Sequence, residues 1–137
     1  VAEVPLHPRL QEDTFFVKRL SACQLLLMND SRYPWLILVP NQRDVSEWDQ
    51  LSRLLWPGVH DDICRASQVL RTLFKPDKLN IAALGNLVPQ LHIHVLARFR
   101  GDAAWPKPVW GALPPLPYAL TESDSLLAQL RTELTCS

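Results

Sequence analysis

Gln90, His92 and His94 stand at alternate positions in the run VPQLHIHVLARFRGD, with Leu91, Ile93 and Val95 between them. Side chains alternate across a strand, so the three polar groups should share one face, roughly 7 Å between successive members. The chain has only four histidines, and two of them fall here. An imidazole is a competent nucleophile near neutral pH when one ring nitrogen is free and an acceptor holds the other. A neighbour two residues on can reach the same substrate oxygens. The plain alternative is a set of satisfied core polar groups, but three in a row would all need partners or water. A metal site is a further alternative, since neutral imidazole is a common ligand. The carboxylate that such a set would need is missing, and Arg98 and Arg100 nearby would repel a cation. We expect no metal site.

The rest of the sequence must hold this strand. "TFFVKRLSACQLLLMND" and "PWLILVPN" read as two strands of an antiparallel hairpin. "SEWDQLSRLLW" opens with a capping-box spacing, Ser46 to Asp49, and puts Trp48, Leu51 and Leu55 on one helical face; Pro57 and Gly58 should end it. A second helix is expected from about Val59 to Phe74, with Ile63, Ala66, Leu70 and Phe74 in period and Pro76 as the stop. "KLNIAAL" and "QLHIHVLARF" read as two more strands, joined through "GNLVP". Between Trp105 and Pro117 five prolines and two tryptophans predict a stiff loop over the body of the protein. Within it, Trp105 and Trp110 either wall the site or bury against the sheet. Thr121, with Asp124 three on, should cap a last helix bearing Leu126, Leu127, Leu130 and Leu134. Strands, then helices, then strands make an α+β architecture with an antiparallel sheet.

Composition narrows the function. At 137 residues, 47% hydrophobic and 20% charged, the chain is one globular domain with room for a core. Fourteen Lys and Arg balance fourteen Asp and Glu, so no positive field favours nucleic acid. The longest apolar runs are too short for a bilayer, and no secretion signal is visible, so we expect a cytoplasmic protein that binds no membrane. Cys23, Cys64 and Cys136 are scattered without a C-x-x-C pair, which fits reduced thiols; Cys64 reads as a small core residue. His7 and His60 lack a partner pattern and read as surface residues.

The run from Gln90 to Leu96 resembles the motif of the histidine triad (HIT) superfamily of nucleotide hydrolases and transferases, His-φ-His-φ-His-φ-φ with φ apolar. All four φ positions and the second and third histidines match; the first position is Gln90. The resemblance extends over Thr14 to about Gly101, through "KLNIAALGNLVPQLHIHVLAR" and the first hairpin "MNDSRYPWLILVP". It implies a fold of about five antiparallel strands with helices on one face, in a single domain over 1–137. The core would span about 14–101, with the Pro/Trp-rich loop and C-terminal helix over 102–137.

The family's roles, carried over by position, imply that His92 is the catalytic nucleophile and forms a nucleotidyl-histidine. They imply that His94 contacts phosphate, and that Asn86, Asn80 and Asn29 bind the nucleotide. Gln90 would bind phosphoryl oxygens without titrating. Arg98 follows the motif as an arginine often does, and either binds phosphate or pairs with a partner subunit. Trp35 stands where the family has Pro-Gly-His, and either stacks on a base or packs. The implied reaction is cleavage at the α-phosphate of a nucleoside phosphoester, dinucleoside polyphosphate or phosphoramidate, by a homodimer. No cofactor is required, although a divalent cation can accompany a polyphosphate. The alternative is a nucleotide-binding module of the same fold with little turnover, acting through a partner.

Overall fold

The computed structural model describes residues 3–136, apart from the side chain of Cys136. The elements run α1 (Pro8–Asp13), β1 (Thr14–Arg19), β2 (Cys23–Met28), β3 (Trp35–Pro40), α2 (Trp56–Phe74), β4 (Lys78–Ala82), β5 (Ile93–Arg98) and α3 (Leu120–Cys136). The strands form one five-stranded sheet in the order β1-β2-β3-β5-β4, antiparallel at every junction. This is the α+β architecture expected from the order of strands and helices and from the family resemblance.

The long first hairpin arm is two strands rather than one. Leu20 N–H donates to Cys23 O at 2.8 Å and closes a turn between β1 and β2. Its three following amides, of Ser21, Ala22 and Cys23, all donate to the buried carboxylate of Asp62 at 2.8–3.0 Å. Asp62 reaches the turn from α2, and Gly58 lets the helix come that close. A Cβ at Gly58 would lie 2.9 Å from the Ala22 Cβ.

Gly58 and Pro57 therefore sit inside α2, where they had been expected to stop the preceding helix. Proline in the first turn gives up only an amide that no carbonyl awaits. The expected Ser46–Trp56 helix is reduced to one 3₁₀ turn, Trp48–Gln50. Its polar anchor is Gln50, whose Oε1 accepts from Ser46 N and Glu47 N, so the Ser46–Asp49 box does not form. At the far end, Lys75 takes a left-handed φ of 52° and its amide donates to Arg71 O, closing α2 ahead of Pro76. In α3, which begins at Leu120, Thr121 lies within the first turn instead of capping it.

Both faces of the sheet are covered. On one, Leu25, Leu27, Leu36, Leu38, Ile93, Val95 and Ala97 pack under α2 and α3, with Leu130 and Leu134 fully buried. The other had been expected to be the polar, imidazole-bearing side. It carries a second apolar core of Leu26, Trp35, Ile37, Val39 and Leu96, roofed by Val4 and Leu10 from the N-terminal segment and by Ala104 and Val109 from the Pro/Trp-rich segment. The histidines thus stand beside a covered core. Cys64 is corrected the other way: it is exposed, 3.8–4.0 Å from the ring nitrogens of His60 one helical turn earlier. Cys23 is buried, and burial followed by the charge and hydrogen bond of Asp62 pushes its thiol far up, which makes it a poor nucleophile.

The two sheet edges differ. β1 carries a bulge between Phe16 and Lys18, and Arg131 of α3 donates to Phe16 O at 2.8 Å and Val17 O at 3.0 Å. Such devices block strand addition. β4 is the opposite edge, with Ile81 exposed.

Candidate active site

β5 starts at Ile93, so His92 sits one residue before the ladder and His94 one residue inside it. Leu91 N–H donates to Val45 O at 2.8 Å and fixes the approach to the strand. His94 lies between Ile37 of β3 and Ala82 of β4 in register. Both rings are buried, at 7% and 6% exposure, yet both line a cleft of about 420 Å³. Its other walls are Arg9, Leu10 and Asp13 of α1, Met28 and Asp30 at the end of β2, Leu84–Val88 before the motif, and Val109–Gly111. A smaller recess of about 70 Å³, lined by Ser46, Glu47, Trp48 and Gly85, adjoins His92 as well.

The tautomers follow from the partners. The carbonyl of Gln90 can only accept, so the 2.7 Å contact to His92 Nδ1 places a proton on that nitrogen. Nε2 of the neutral ring then carries a lone pair. The indole of Trp35 can only donate, so its 3.0 Å bond to His94 Nδ1 leaves that nitrogen bare and puts the His94 proton on Nε2. Burial, and secondarily the charge of His92, push the His94 imidazolium down to about 3. His94 is therefore a neutral hydrogen-bond donor over the physiological range. The two imidazoles pack edge to face at 4.9 Å, and Trp110 packs edge to face on His94 at 5.2 Å.

Of the residues singled out from the sequence, Trp35, Asn86, His92, His94 and Trp110 border the cleft. Gln90 does not. Its Oε1 accepts from His7 N at 2.8 Å and its Nε2 donates to Pro5 O at 3.0 Å, so the amide ties the N-terminal segment to the motif. Alternation failed here because Gln90 precedes the ladder that would have enforced it. Asn29 does not border the cleft either; its Oδ1 accepts from Tyr118 N at 2.9 Å. The neighbouring residue Asp30 takes the place on the cleft, with Oδ1 accepting from Arg32 N at 3.1 Å in an Asx turn.

Arg98 is buried at 2% exposure. It donates to both carboxylate oxygens of Asp102 at 2.8 and 3.1 Å, to Asn80 Oδ1 at 2.8 Å and to Lys107 O at 2.8 Å. Tyr33 and Trp105 stack near its guanidinium. Arg98 and Asn80 thus anchor the Pro/Trp-rich segment to the sheet rather than meeting a phosphate. Burial alone would raise the Asp102 carboxyl, but Arg98 and the amides of Phe99 and Ala104 hold it down to about 2.

The two loop tryptophans divide the two readings between them: Trp110 walls the cleft, and Trp105 packs. Trp35 packs in the second core and lines the cleft, and its indole orients His94 as well. Sequence reasoning missed Arg9, Leu10 and Asp13. Their signal was the His7-Pro8 pair: Pro8 opens α1, and His7 caps it by accepting from Arg9 N at 3.1 Å. Among the described residues no group of three or more His, Cys, Asp or Glu is arranged to hold a metal. No helix among them is long and apolar enough to cross a membrane.

An antiparallel five-stranded α+β sheet with a paired-imidazole motif on a strand flanking an apolar cleft defines the histidine triad class of protein. The HIT domain matches residues 9–101. The structure is similar to a histidine triad protein from Bradyrhizobium japonicum, with 45% identity, 97% of this chain and 99% of that one covered, and a TM-score of 0.92. It is also similar to one from Marinobacter aquaeolei VT8, with 41% identity, 98% of each chain and a TM-score of 0.93. A third, from Sinorhizobium meliloti 1021, is 39% identical over 94% of this chain and 96% of that one, with a TM-score of 0.90. No curated protein matches the chain. This chain belongs to the HIT domain family.

Proposed function

We propose that the protein is a nucleotide hydrolase or nucleotidyl transferase acting at an α-phosphate through a covalent nucleotidyl-His92. The carrying observation is the 2.7 Å bond from His92 Nδ1 to the Gln90 carbonyl, which leaves Nε2 as a bare lone pair on a ring that lines the cleft. As Nε2 bonds to phosphorus the ring becomes cationic, and the Gln90 carbonyl stabilises the Nδ1–H that bears that charge. His94 Nε2–H, already neutral and fixed, serves the phosphoryl oxygens as charge builds on them, and Asn86 on the cleft rim adds a second donor. Asp30 is placed for a sugar hydroxyl, and Leu10, Met28, Ile37 and Val88 offer apolar surface for a base. Among the described residues Arg9 is the single cationic side chain lining the cleft, against Asp13 and Asp30. A polyphosphate substrate would therefore gain from a divalent cation bound with it.

The functional unit in this reading is a homodimer. β1 is closed by its bulge and by Arg131, whereas β4 has an exposed Ile81 and, among the described residues, no strand along its outer side, so β4 supports pairing with a second copy. The protein acts in the cytoplasm on small nucleotides.

Incubation with a panel of dinucleoside polyphosphates and nucleoside phosphoramidates tests the chemistry, read as released mononucleotide and as a mononucleotide mass adduct on His92. His92→Asn should abolish both while mononucleotide still binds. Wild-type protein that binds mononucleotide but yields neither product nor adduct across the panel would instead be a binding module.

A further inference from the structure

The small recess beside His92 presents hydrogen-bond acceptors. Three donors converge on Oε1 of Gln50: the amides of Ser46 at 3.0 Å and Glu47 at 3.1 Å, and the Ser46 hydroxyl at 3.2 Å. An amide oxygen only accepts, so the Ser46 proton is committed to Gln50 and Oγ offers lone pairs. Glu47 closes a reciprocal capping box with Gln50. The box turns one carboxylate oxygen toward the 3₁₀ turn and leaves the other as a second acceptor. Trp48, Ala83, Leu84, Gly85, Leu91 and the His92 ring complete the walls of this recess of about 70 Å³. A water needs about 10–15 Å³ to sit in, so water fits where a nucleoside does not. A molecule held by two acceptors must donate to both, and water can do so with its lone pairs still free. Asp13 and Asp30, the other carboxylates near His92, line the cleft and not the recess.

Resting on the reading of His92 as the nucleophile, we propose that Glu47 is the general base that hydrolyses the nucleotidyl-histidine, with Ser46 positioning the water. Glu47 lies outside the motif strand, on the loop between β3 and α2. It makes the protein a hydrolase rather than a transferase, because the acceptor that the site is built to hold is water.

The protons and electrons balance as follows. Water donates one hydrogen to Glu47 and the other to Ser46 Oγ. As its oxygen bonds to phosphorus, the first proton passes to the Glu47 carboxylate. The P–N bond breaks and its pair returns to Nε2 of His92. The ring departs neutral, because Nδ1 keeps its proton on the Gln90 carbonyl at 2.7 Å. This step therefore needs a base and no acid. Glu47 yields its proton to solvent as the nucleoside monophosphate leaves. Further bonds fix the loop that carries the pair: Gln42 Nε2 donates to Gln50 O at 3.3 Å, and Ser52 N donates to Gln42 Oε1 at 2.8 Å. Such wiring places the base before the reaction begins.

The test uses the full chain with adenosine and guanosine phosphorimidazolides, whose imidazole leaves readily. Rapid-quench intact mass gives the rate of adduct formation and, once substrate is removed, of adduct breakdown. Glu47→Gln keeps an oxygen for the capping box, and its Tm should match the wild type. It should form the His92 adduct at the wild-type rate but release it at least about 100-fold more slowly, as loss of a positioned general base predicts. The adduct then accumulates and kcat falls with it. Glu47→Asp, with its carboxylate withdrawn by one methylene, should lie between the two. Hydroxylamine attacks phosphorus without a base, so it should discharge the wild-type and Glu47→Gln adducts at equal rates. A Glu47→Gln adduct that water releases as fast as in wild type overturns the proposal. Slow discharge by hydroxylamine also overturns it, since Glu47 would then be a structural residue. If wild type forms no adduct, or His92→Asn forms the same one, the nucleophile reading itself fails and the role of Glu47 falls with it.

Discussion

The indole N–H of Trp35 lies 3.0 Å from Nδ1 of His94, reaching it diagonally from the adjacent strand, where Trp35 pairs with Leu96. A donor-only group opposite an imidazole nitrogen decides which nitrogen keeps the proton. One tryptophan therefore sets the tautomer of His94, while burial keeps the ring neutral.

Trp35→Phe keeps most of the packing and removes the donor. The buried Nδ1 is then unsatisfied, at a cost of about 1–3 kcal/mol. Nitrogen chemical shifts of His94 should show mixed tautomers and an imidazolium that forms at higher pH than in the wild type. Unchanged shifts would show that Trp35 does not hold the ring.

The same burial makes stability depend on pH. The His94 pKa falls from 6.5 in the unfolded chain to about 3 in the folded one. Between these values the unfolded state binds more protons, so the contribution is complete above pH 6.5 and is lost as pH falls toward 3. The slope approaches about 1.4 kcal/mol per pH unit for one proton. Asp102, depressed from 3.8 to about 2, adds its own loss only below pH 3.8. Urea midpoints against pH should fall more steeply between pH 6.5 and 4 for wild type than for His94→Gln. Parallel curves would refute the assignment.

Arg98 and Asp102 form a buried pair, and both are almost fully enclosed. Asp102→Asn leaves the guanidinium without its countercharge and should cost about 3–5 kcal/mol, seen as a lowered Tm. Mononucleotide affinity of the folded protein should hold, because neither residue borders the cleft. An Arg98→Lys variant with normal Tm and lost nucleotide binding would return Arg98 to the phosphate.

Gln90→Ala releases Pro5 O and His7 N together. Each neutral hydrogen bond contributes about 0.5–1.5 kcal/mol net, enough to loosen a segment whose other anchors are the packing of Val4 and Leu10, the Gln24 bond to Val4 O and the Arg19–Glu3 pair. Amide exchange over residues 4–13 should quicken by about tenfold or more while that of β2 and β3 is unchanged. Gln90→His should behave like Gln90→Ala, since the donor and acceptor nitrogens of an imidazole are spaced and directed differently from the amide's N and O. Unaltered exchange in both would mean that the segment does not depend on Gln90.

The alternation of apolar residues through Leu91, Ile93 and Val95 was enough to read the motif strand, and the resemblance of Gln90–Leu96 and its flanks to the HIT motif supplied the family fold. Period and breakers also located α2 and α3 to within a few residues. Those patterns are local: they depend on side chains a few positions apart along one element. The Asp62 clasp on the Ser21–Cys23 amides was not legible, because it joins residues about forty positions apart and permits Pro57 and Gly58 inside a helix. Gln90 read as a site residue because alternation was extended three residues ahead of the true start of β5.

Residue order alone therefore determined the two imidazoles, the strand that carries them and the helices behind it, since each depends on short-range periodicity. Only the folded chain decided that Trp35 fixes His94, that Asp30 and not Asn29 meets the cleft, and that Arg98 is spent on Asp102. Those outcomes are hydrogen-bond choices among groups brought together from distant segments, and burial makes each choice binding by removing water as the competing partner.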